Sequence, residues 1–242
     1  MKNASKNASP PPNRARELRS ELARKIASFI GTKEKLITGV PGLLLSRRTA
    51  PTAPASATYE PSLAVVAQGR KRADLGGTTF IFDESRYLLT SLDLPVICNV
   101  IEASEDVPYL CFVLKLEMPV VRELLSREEI QAPEAPSVTP AMATGETTAE
   151  LLDACCRLLD LLDTPQDIPF LSGLIQREII TESFGGRRGH AFERLQRWEI
   201  RATGRQKQLR GSGQTTRSRY GWKVSHKSRV WACPRCTIIS GR

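Results

Sequence analysis

The chain has 242 residues, of which 40% are hydrophobic, so it is long enough to bury a core of its own. Its formal net charge is +9, from 35 Lys and Arg against 26 Asp and Glu. Residues 181–242 hold 15 of the basic and 3 of the acidic side chains, which leaves 20 basic and 23 acidic ones in residues 1–180. The positive charge that would suggest a nucleic-acid binder therefore belongs to the last 62 residues alone.

Two further classes are excluded by composition. No run of eighteen apolar residues occurs, so we expect no membrane-spanning helix and no membrane partner. The six cysteines are too sparse for a disulfide framework, and the N-terminus lacks a secretory signal, so we expect a cytoplasmic protein.

The N-terminal segment is predicted in two parts. Residues 1–15 contain a tandem Lys-Asn-Ala-Ser and three prolines, which indicates disorder. Residues 16–35 form the predicted N-terminal helix, because Leu18, Leu22, Ile26 and Ile30 recur every four residues and Gly31 is a natural stop.

Residues 36–130 change to short apolar or alternating runs separated by turn signals, with a helix at the end, Pro119–Ile130. Many short strands with such punctuation predict a small barrel or sandwich. In the last run Leu110, Phe112 and Leu114 share one face. The stretch 50–57 is expected to be a break, and Arg70-Lys71-Arg72 a solvated hairpin rather than a phosphate site. The predicted strands are Gly42–Leu45, Leu63–Gln68, Thr78–Phe82, Tyr87–Leu92, Val96–Ile101 and Tyr109–Leu116.

Residues 131–146 are predicted to be a linker, and residues 147–180 a helical hairpin. Thr147 and Glu150 have the spacing of a capping box, which opens a Leu-rich helix to about Leu162. Thr164-Pro165 then caps a second helix that runs through Ile179. Of the adjacent Cys155 and Cys156, we expect one in the apolar seam and one partly exposed, as plain thiols rather than a redox switch.

The ordered motifs resemble the N-terminal half of AraC-type transcription regulators. The motifs are Val40-Pro41-Gly42-Leu43, Tyr59-Glu60-Pro61-Ser62-Leu63, Gln68-Gly69-Arg70-Lys71, Leu94-Pro95-Val96, Asp167-Ile168-Pro169 and Arg177-Glu178-Ile179-Ile180. The resemblance implies an α+β fold, with a small cupin-like β-barrel followed by two or three helices that pair subunits. It also implies a small-molecule effector and promoter DNA as partners, the latter bound by helix-turn-helix units that follow in the family.

Residues 181–242 depart from that pattern and are predicted to be a basic disordered tail. Leu, Ile, Val and Phe are 9 of these 62 residues, which is too few for a core. A reading frame shifted at about codon 181 permits LRVEGLAQVAGMGVSTLHHHF, which has the apolar spacing of a helix-turn-helix. We therefore predict a frame slip that removes the DNA-binding domain. Cys233, Cys236 and His226 then form an accidental, incomplete zinc set, and the tail arginines bind polyanions only weakly and without sequence preference.

An enzyme is disfavoured, because no histidine precedes His190 and no catalytic triad or histidine metal cluster is available. We therefore expect no cofactor and no metal. Glu60, Glu102, Glu105 and Asp106 are expected to be solvated loop carboxylates. Polar residues on predicted strands are the better candidates for a ligand pocket, the alternative being that they face solvent or backbone groups. These candidates are Gln68, Thr90, Cys98 and Asn99.

The Leu-rich helices supply the predicted pairing surface, the alternative being that they pack only within the subunit. The residues are Leu151, Leu158, Leu162, Leu171 and Leu174. The sequence thus predicts a truncated AraC-family regulator that keeps the sensing and dimerisation part. The alternative is a stand-alone ligand-binding or interaction module that forms mixed dimers with full-length relatives.

Overall fold

The structure is a computed structural model that describes residues 12–127 and 141–185. Ten strands within these ranges form one antiparallel sheet, which curls into a half-barrel, and four helices accompany it. The predicted α+β fold class is therefore confirmed. The predicted disordered segments and most of the linker, at residues 1–11, 128–140 and 186–242, lie outside the described ranges.

The strand order across the sheet is β1-β2-β9-β4-β7-β6-β5-β8-β3, and β10 pairs with β7. Most neighbours in this order are distant in sequence, so long-range pairing dominates the fold. The strands are β1 Lys35–Ile37, β2 Leu43–Arg48, β3 Ala55–Tyr59, β4 Ser62–Gln68, β5 Arg70–Leu75, β6 Thr78–Asp83, β7 Arg86–Thr90, β8 Leu94–Glu102, β9 Tyr109–Lys115 and β10 Met142–Glu146.

The two faces of the sheet bury two separate apolar clusters. The outer cluster packs under the helices and includes Leu110, Phe112 and Leu114, which share one face as predicted. The inner cluster occupies the concave face, which we call the lumen, and includes Val66, Phe82, Leu88, Val96 and Cys111. Because side chains alternate along a strand, one strand contributes to both clusters.

The helices are α1 Pro12–Ile30, α2 Met118–Arg127, α3 Ala149–Asp160 and α4 Ile168–Gly185, with a 3₁₀ turn at Pro165–Asp167 before α4. Leu22, Ile26 and Ile30 of α1 are fully buried, which confirms the predicted helix face. Helix α1 packs on α3, and α3 on α4. Arg157 near the end of α3 forms an ion pair with Glu178 near the end of α4, so the two helices run antiparallel, as predicted. None of the helices in the described ranges combines the length and apolarity needed to cross a membrane.

Three loop predictions are wrong. The predicted break at residues 50–57 contains the start of β3, and the predicted linker ends in β10. Arg70-Lys71-Arg72 lies in β5, and the hairpin turn comes later, at Gly76 and Gly77, both of which have positive φ. Charged residues occur in β5 because one of its faces is exposed to solvent, and such a strand lacks the apolar enrichment on which the prediction depended.

The start of α3 also differs from the prediction. Thr148 is the N-cap, and its hydroxyl accepts a hydrogen bond from the Leu151 amide at 3.2 Å. The third helical residue is therefore Leu151, so Glu150 cannot complete a capping box. Thr164 makes no capping bond, and α4 continues to Gly185, five residues beyond the predicted end of the hairpin.

Both adjacent cysteines are buried, although one was expected to be partly exposed. Cys155 lies in the core, and Cys156 is covered by α1, where its thiol lies 3.7 Å from the Leu18 carbonyl oxygen. Burial raises the pKa of the Cys156 thiol to about 12. Both cysteines therefore stay protonated and pack as small apolar groups.

Candidate functional site: the lumen of the half-barrel

Strand β5 brings a lysine into the lumen. Lys71 pairs with Phe82 of β6 and Val100 of β8, and both partners belong to the inner cluster. Residues directly opposite each other in a sheet project from the same face, so Lys71 projects inward while Arg72 projects outward. The Lys71 ammonium lies 5.4 Å from the centre of the Tyr59 ring, which is a cation–π contact.

Two tyrosines and two thiols surround this ammonium. The Tyr59 hydroxyl is buried and makes no hydrogen bond to any residue in the described ranges. Burial, with the neighbouring Cys98 thiol, raises the pKa of Tyr59, so its hydroxyl keeps its proton. Burial also raises the pKa of the Cys111 thiol, although the Tyr109 hydroxyl and the Lys71 charge oppose this. The lumen is thus apolar, with one cation and several uncharged donors.

Two of the four predicted pocket residues project into this lumen. Cys98 pairs with Ala73 and packs in the inner cluster. Thr90, fully buried, pairs with Met142 of the same cluster. Their predicted contact with a ligand stays a prediction, and their position is compatible with it.

The other two lie outside the lumen. Asn99 pairs with the outward-facing Arg72, so it projects from the opposite face of β8 to its neighbour Cys98. A register shift between Val66 and Gln68 turns Gln68 toward the helices. The Gln68 amide there donates a hydrogen bond to the Pro108 carbonyl at 2.7 Å. Gln68 also lines a polar surface cavity of about 490 Å³ between α1 and the sheet, together with Arg16 and Arg19.

The predicted pairing residues divide by burial. Leu151 and Leu158 are 0% exposed and pack within the subunit, so they offer no surface to a partner. Leu162 is partly buried against the outer cluster. Leu171 and Leu174 on α4 are exposed, and they line a surface cavity of about 440 Å³ between α3 and α4. The structure therefore narrows the predicted surface to the exposed side of α4, where Phe170 is also 77% exposed.

Sequence reasoning missed Lys71 and Tyr59 as candidates. Lys71 was assigned to a solvated turn and Tyr59 to no strand, because neither β5 nor β3 was predicted. The available signal was the spacing of Lys71, Ala73 and Leu75, whose alternation marks one strand face. Which face turns inward depends on the pairing with β6 and β8, and this pairing is not visible in a local pattern.

Comparisons with known proteins give a family and a distant structural likeness. Residues 39–191 match the AraC-type transcriptional regulator N-terminus. The chain has no significant match among curated proteins. Apo ToxT from Vibrio cholerae strain SCE256 is 7% identical with a TM-score of 0.46, over 64% of this chain and 59% of that one. Wild-type ToxT from that strain, bound to an unsaturated fatty acid, is 8% identical with a TM-score of 0.35, over 61% and 57%.

The AraC-like transcriptional activator CuxR is 10% identical with a TM-score of 0.34, over 57% of this chain and 51% of that one. This chain therefore spans between half and three fifths of the length of these regulators. TM-scores this low carry no argument about ligand or DNA. The family assignment rests on the sequence match, which covers well over half of the residues. The chain belongs to the family of AraC-type transcriptional regulator N-termini.

Proposed function

We propose that residues 36–185 are the effector-sensing and subunit-pairing part of a transcription regulator, with the effector bound in the lumen and no catalytic role. The observation that carries the proposal is the inner cluster, which encloses an ammonium and a buried tyrosine hydroxyl that has no partner in the described ranges. Ligand sites are typically apolar with a few placed polar groups, and this lumen fits that description. Thr90 and Cys98 are proposed as its further contacts.

The test uses two neighbours on β8 that face opposite sides of the sheet. Cys98→Phe fills the lumen, while Asn99→Phe adds the same ring on the outer face. A screen of small molecules by thermal shift on the full chain should find ligands that stabilise the wild type and Asn99→Phe but not Cys98→Phe. Ligands that stabilise all three proteins equally would place the effector elsewhere and refute the lumen as its site.

We further propose that residues 181–242 come from a shifted reading frame, so that this chain does not recognise promoter DNA. The support is the sequence pattern of the tail, with few apolar residues and an excess of Arg. Sequencing the DNA across codon 181 tests the frame. Sequence-specific retention of promoter DNA by the purified chain, at physiological salt and with competitor DNA, would contradict the loss of output.

A second candidate function is a module that forms mixed dimers with full-length relatives. The exposed Phe170, Leu171 and Leu174 on α4 favour it, because adjacent large apolar side chains on a surface usually mark an interaction site. Leu174→Glu should shift a dimer to monomer in sedimentation experiments. Ile37→Glu, at an equally exposed apolar residue on β1, should leave the assembly unchanged. Equal behaviour of the two variants would remove α4 as the pairing surface.

A further inference from the structure

We propose that the effector is a monoanion with an apolar body, such as a small carboxylic acid, whose charged group lies between the Lys71 ammonium and the Tyr59 hydroxyl. The proposal rests on the proposed function, in which the lumen is the ligand site. It adds the chemical class of the ligand and the two residues that select it.

The first argument is the unmatched charge of Lys71. Carboxylates on the strands around it already have cationic partners. Arg70 forms ion pairs with Asp83 and Glu102, and Arg72 with Asp74. Lys71 has no ion pair with any residue in the described ranges, although it is only partly exposed and faces an apolar cluster.

A half-buried ammonium loses hydration, and a cation–π contact with Tyr59 replaces only part of it. A bound anion would supply the missing counter-charge at short range in a medium of low polarity, where the attraction is strong. Selection of an anion over a neutral ligand therefore follows from the position of Lys71 on the sheet.

The second argument is the orphaned hydroxyl of Tyr59. Its oxygen is buried without a hydrogen-bond partner in the described part of the chain, and the phenol is protonated. A protonated phenol donates to an anionic oxygen, and such a charge-assisted bond is stronger than one between neutral groups. One cation and one donor suit a monoanion better than a phosphate dianion, which would need further donors.

The third argument concerns the body of the ligand. The side chains around this pair are mostly apolar and small or branched, and they offer no row of hydrogen-bonding groups that a sugar would require. They are Ala57, Ala73, Phe82, Val96 and Val100. A ligand must part these packed side chains. Tyr59 lies on β3, which is the last strand of the sheet order and pairs only with β8 among the described strands, so this strand is the one most easily displaced.

The experiment compares acids with their neutral amides on the full chain. The probes are benzoate and octanoate, with benzamide and octanamide as isosteres, measured by calorimetry and thermal shift. We expect at least one acid to bind about tenfold more tightly than its amide, as the loss of a charge-assisted contact predicts. Lys71→Met should abolish that preference, Lys71→Arg should retain most of it, and Tyr59→Phe should weaken binding of the acid severalfold.

Lys33→Met is the matched control, because Lys33 is exposed in the turn after α1 and should not affect binding. Circular dichroism melts of each variant separate loss of binding from loss of folding. Amides that bind as well as acids, with binding removed by Cys98→Phe, would overturn the anion proposal and leave lumen sensing intact. Acid binding that survives Lys71→Met unchanged would also overturn it. No binding by either series in any protein would count against the anion proposal and leave the small-molecule screen to decide the lumen.

Discussion

A single hydrogen bond joins the half-barrel to the last turn of α4, and its removal gives a sharp prediction. The Tyr87 hydroxyl donates to the Ser183 carbonyl oxygen at 2.6 Å, and Tyr87 is only 5% exposed. Tyr87→Phe keeps the ring but leaves the Ser183 carbonyl without this donor. An abandoned buried acceptor costs about 1–3 kcal/mol, which corresponds to a fall in Tm of about 2–12 °C for a protein of this size.

The matched control is Tyr59→Phe, which removes a buried hydroxyl that has no partner in the described ranges. In the absence of ligand it should change the free energy of unfolding by less than about 0.5 kcal/mol, or raise it, because a desolvated orphan is removed. Urea unfolding followed by circular dichroism measures both variants. Equal losses for Tyr87→Phe and Tyr59→Phe would refute the reasoning, since the two substitutions then act through the ring environment and not through the bond.

Gly145 provides a second route to the same contact. A methyl group at Gly145 would overlap the Tyr87 ring, which lies directly across from it in the β7–β10 pair. Gly145→Ala should therefore displace the ring and weaken the bond to Ser183. The double variant with Tyr87→Phe should cost less than the sum of the two single costs, because both substitutions remove one shared interaction. Strict additivity would show that the two positions act independently.

Three further outcomes are expected from unfolding experiments on single variants. Gly69→Ala should lower stability by more than about 1 kcal/mol, because Gly69 has φ +83° and a Cβ there would lie 2.6 Å from the Glu102 carbonyl oxygen; a neutral result would contradict the close approach. Leu158→Ala should cost about 2–5 kcal/mol, since the side chain is fully buried; a cost near zero would imply a surface position. Burial and the nearby Glu150 raise the pKa of Glu182, so its ionised form destabilises the fold, and the penalty appears as pH rises through its raised pKa. Glu182→Gln should therefore raise Tm at pH 7 and have no effect at pH 3, whereas an equal effect at both values would exclude the charge as the cause.

Much of the outer architecture could be predicted because its signals are local. The four-residue repeat of α1 and the alternation in β9 each place one apolar face against the core, and a periodic pattern records this directly. The break residues around most strands also mark where turns must occur. Together with the family resemblance, these local patterns were sufficient for the α+β class.

The strands that form the site could not be predicted by the same means. Strand β5 has charges on its outer face, β3 follows Pro51 and Pro54, and β10 is short and rich in small residues. Each becomes a strand through pairing with residues far away in sequence, such as β10 with β7. The inward position of Lys71 depends on that pairing, because a shift of one residue would turn it to solvent.

Helix α1 has a practical consequence for anyone who produces this domain. The family match begins at residue 39, nine residues after the helix ends. Yet Leu22, Ile26 and Ile30 are 0–1% exposed beneath α3 and the sheet, and the helix covers Cys156. Expression from the family boundary would uncover a greasy stripe on the folded remainder and invite aggregation. The unit that folds is larger than the unit that homology recognises, and cloning should start upstream of Pro12.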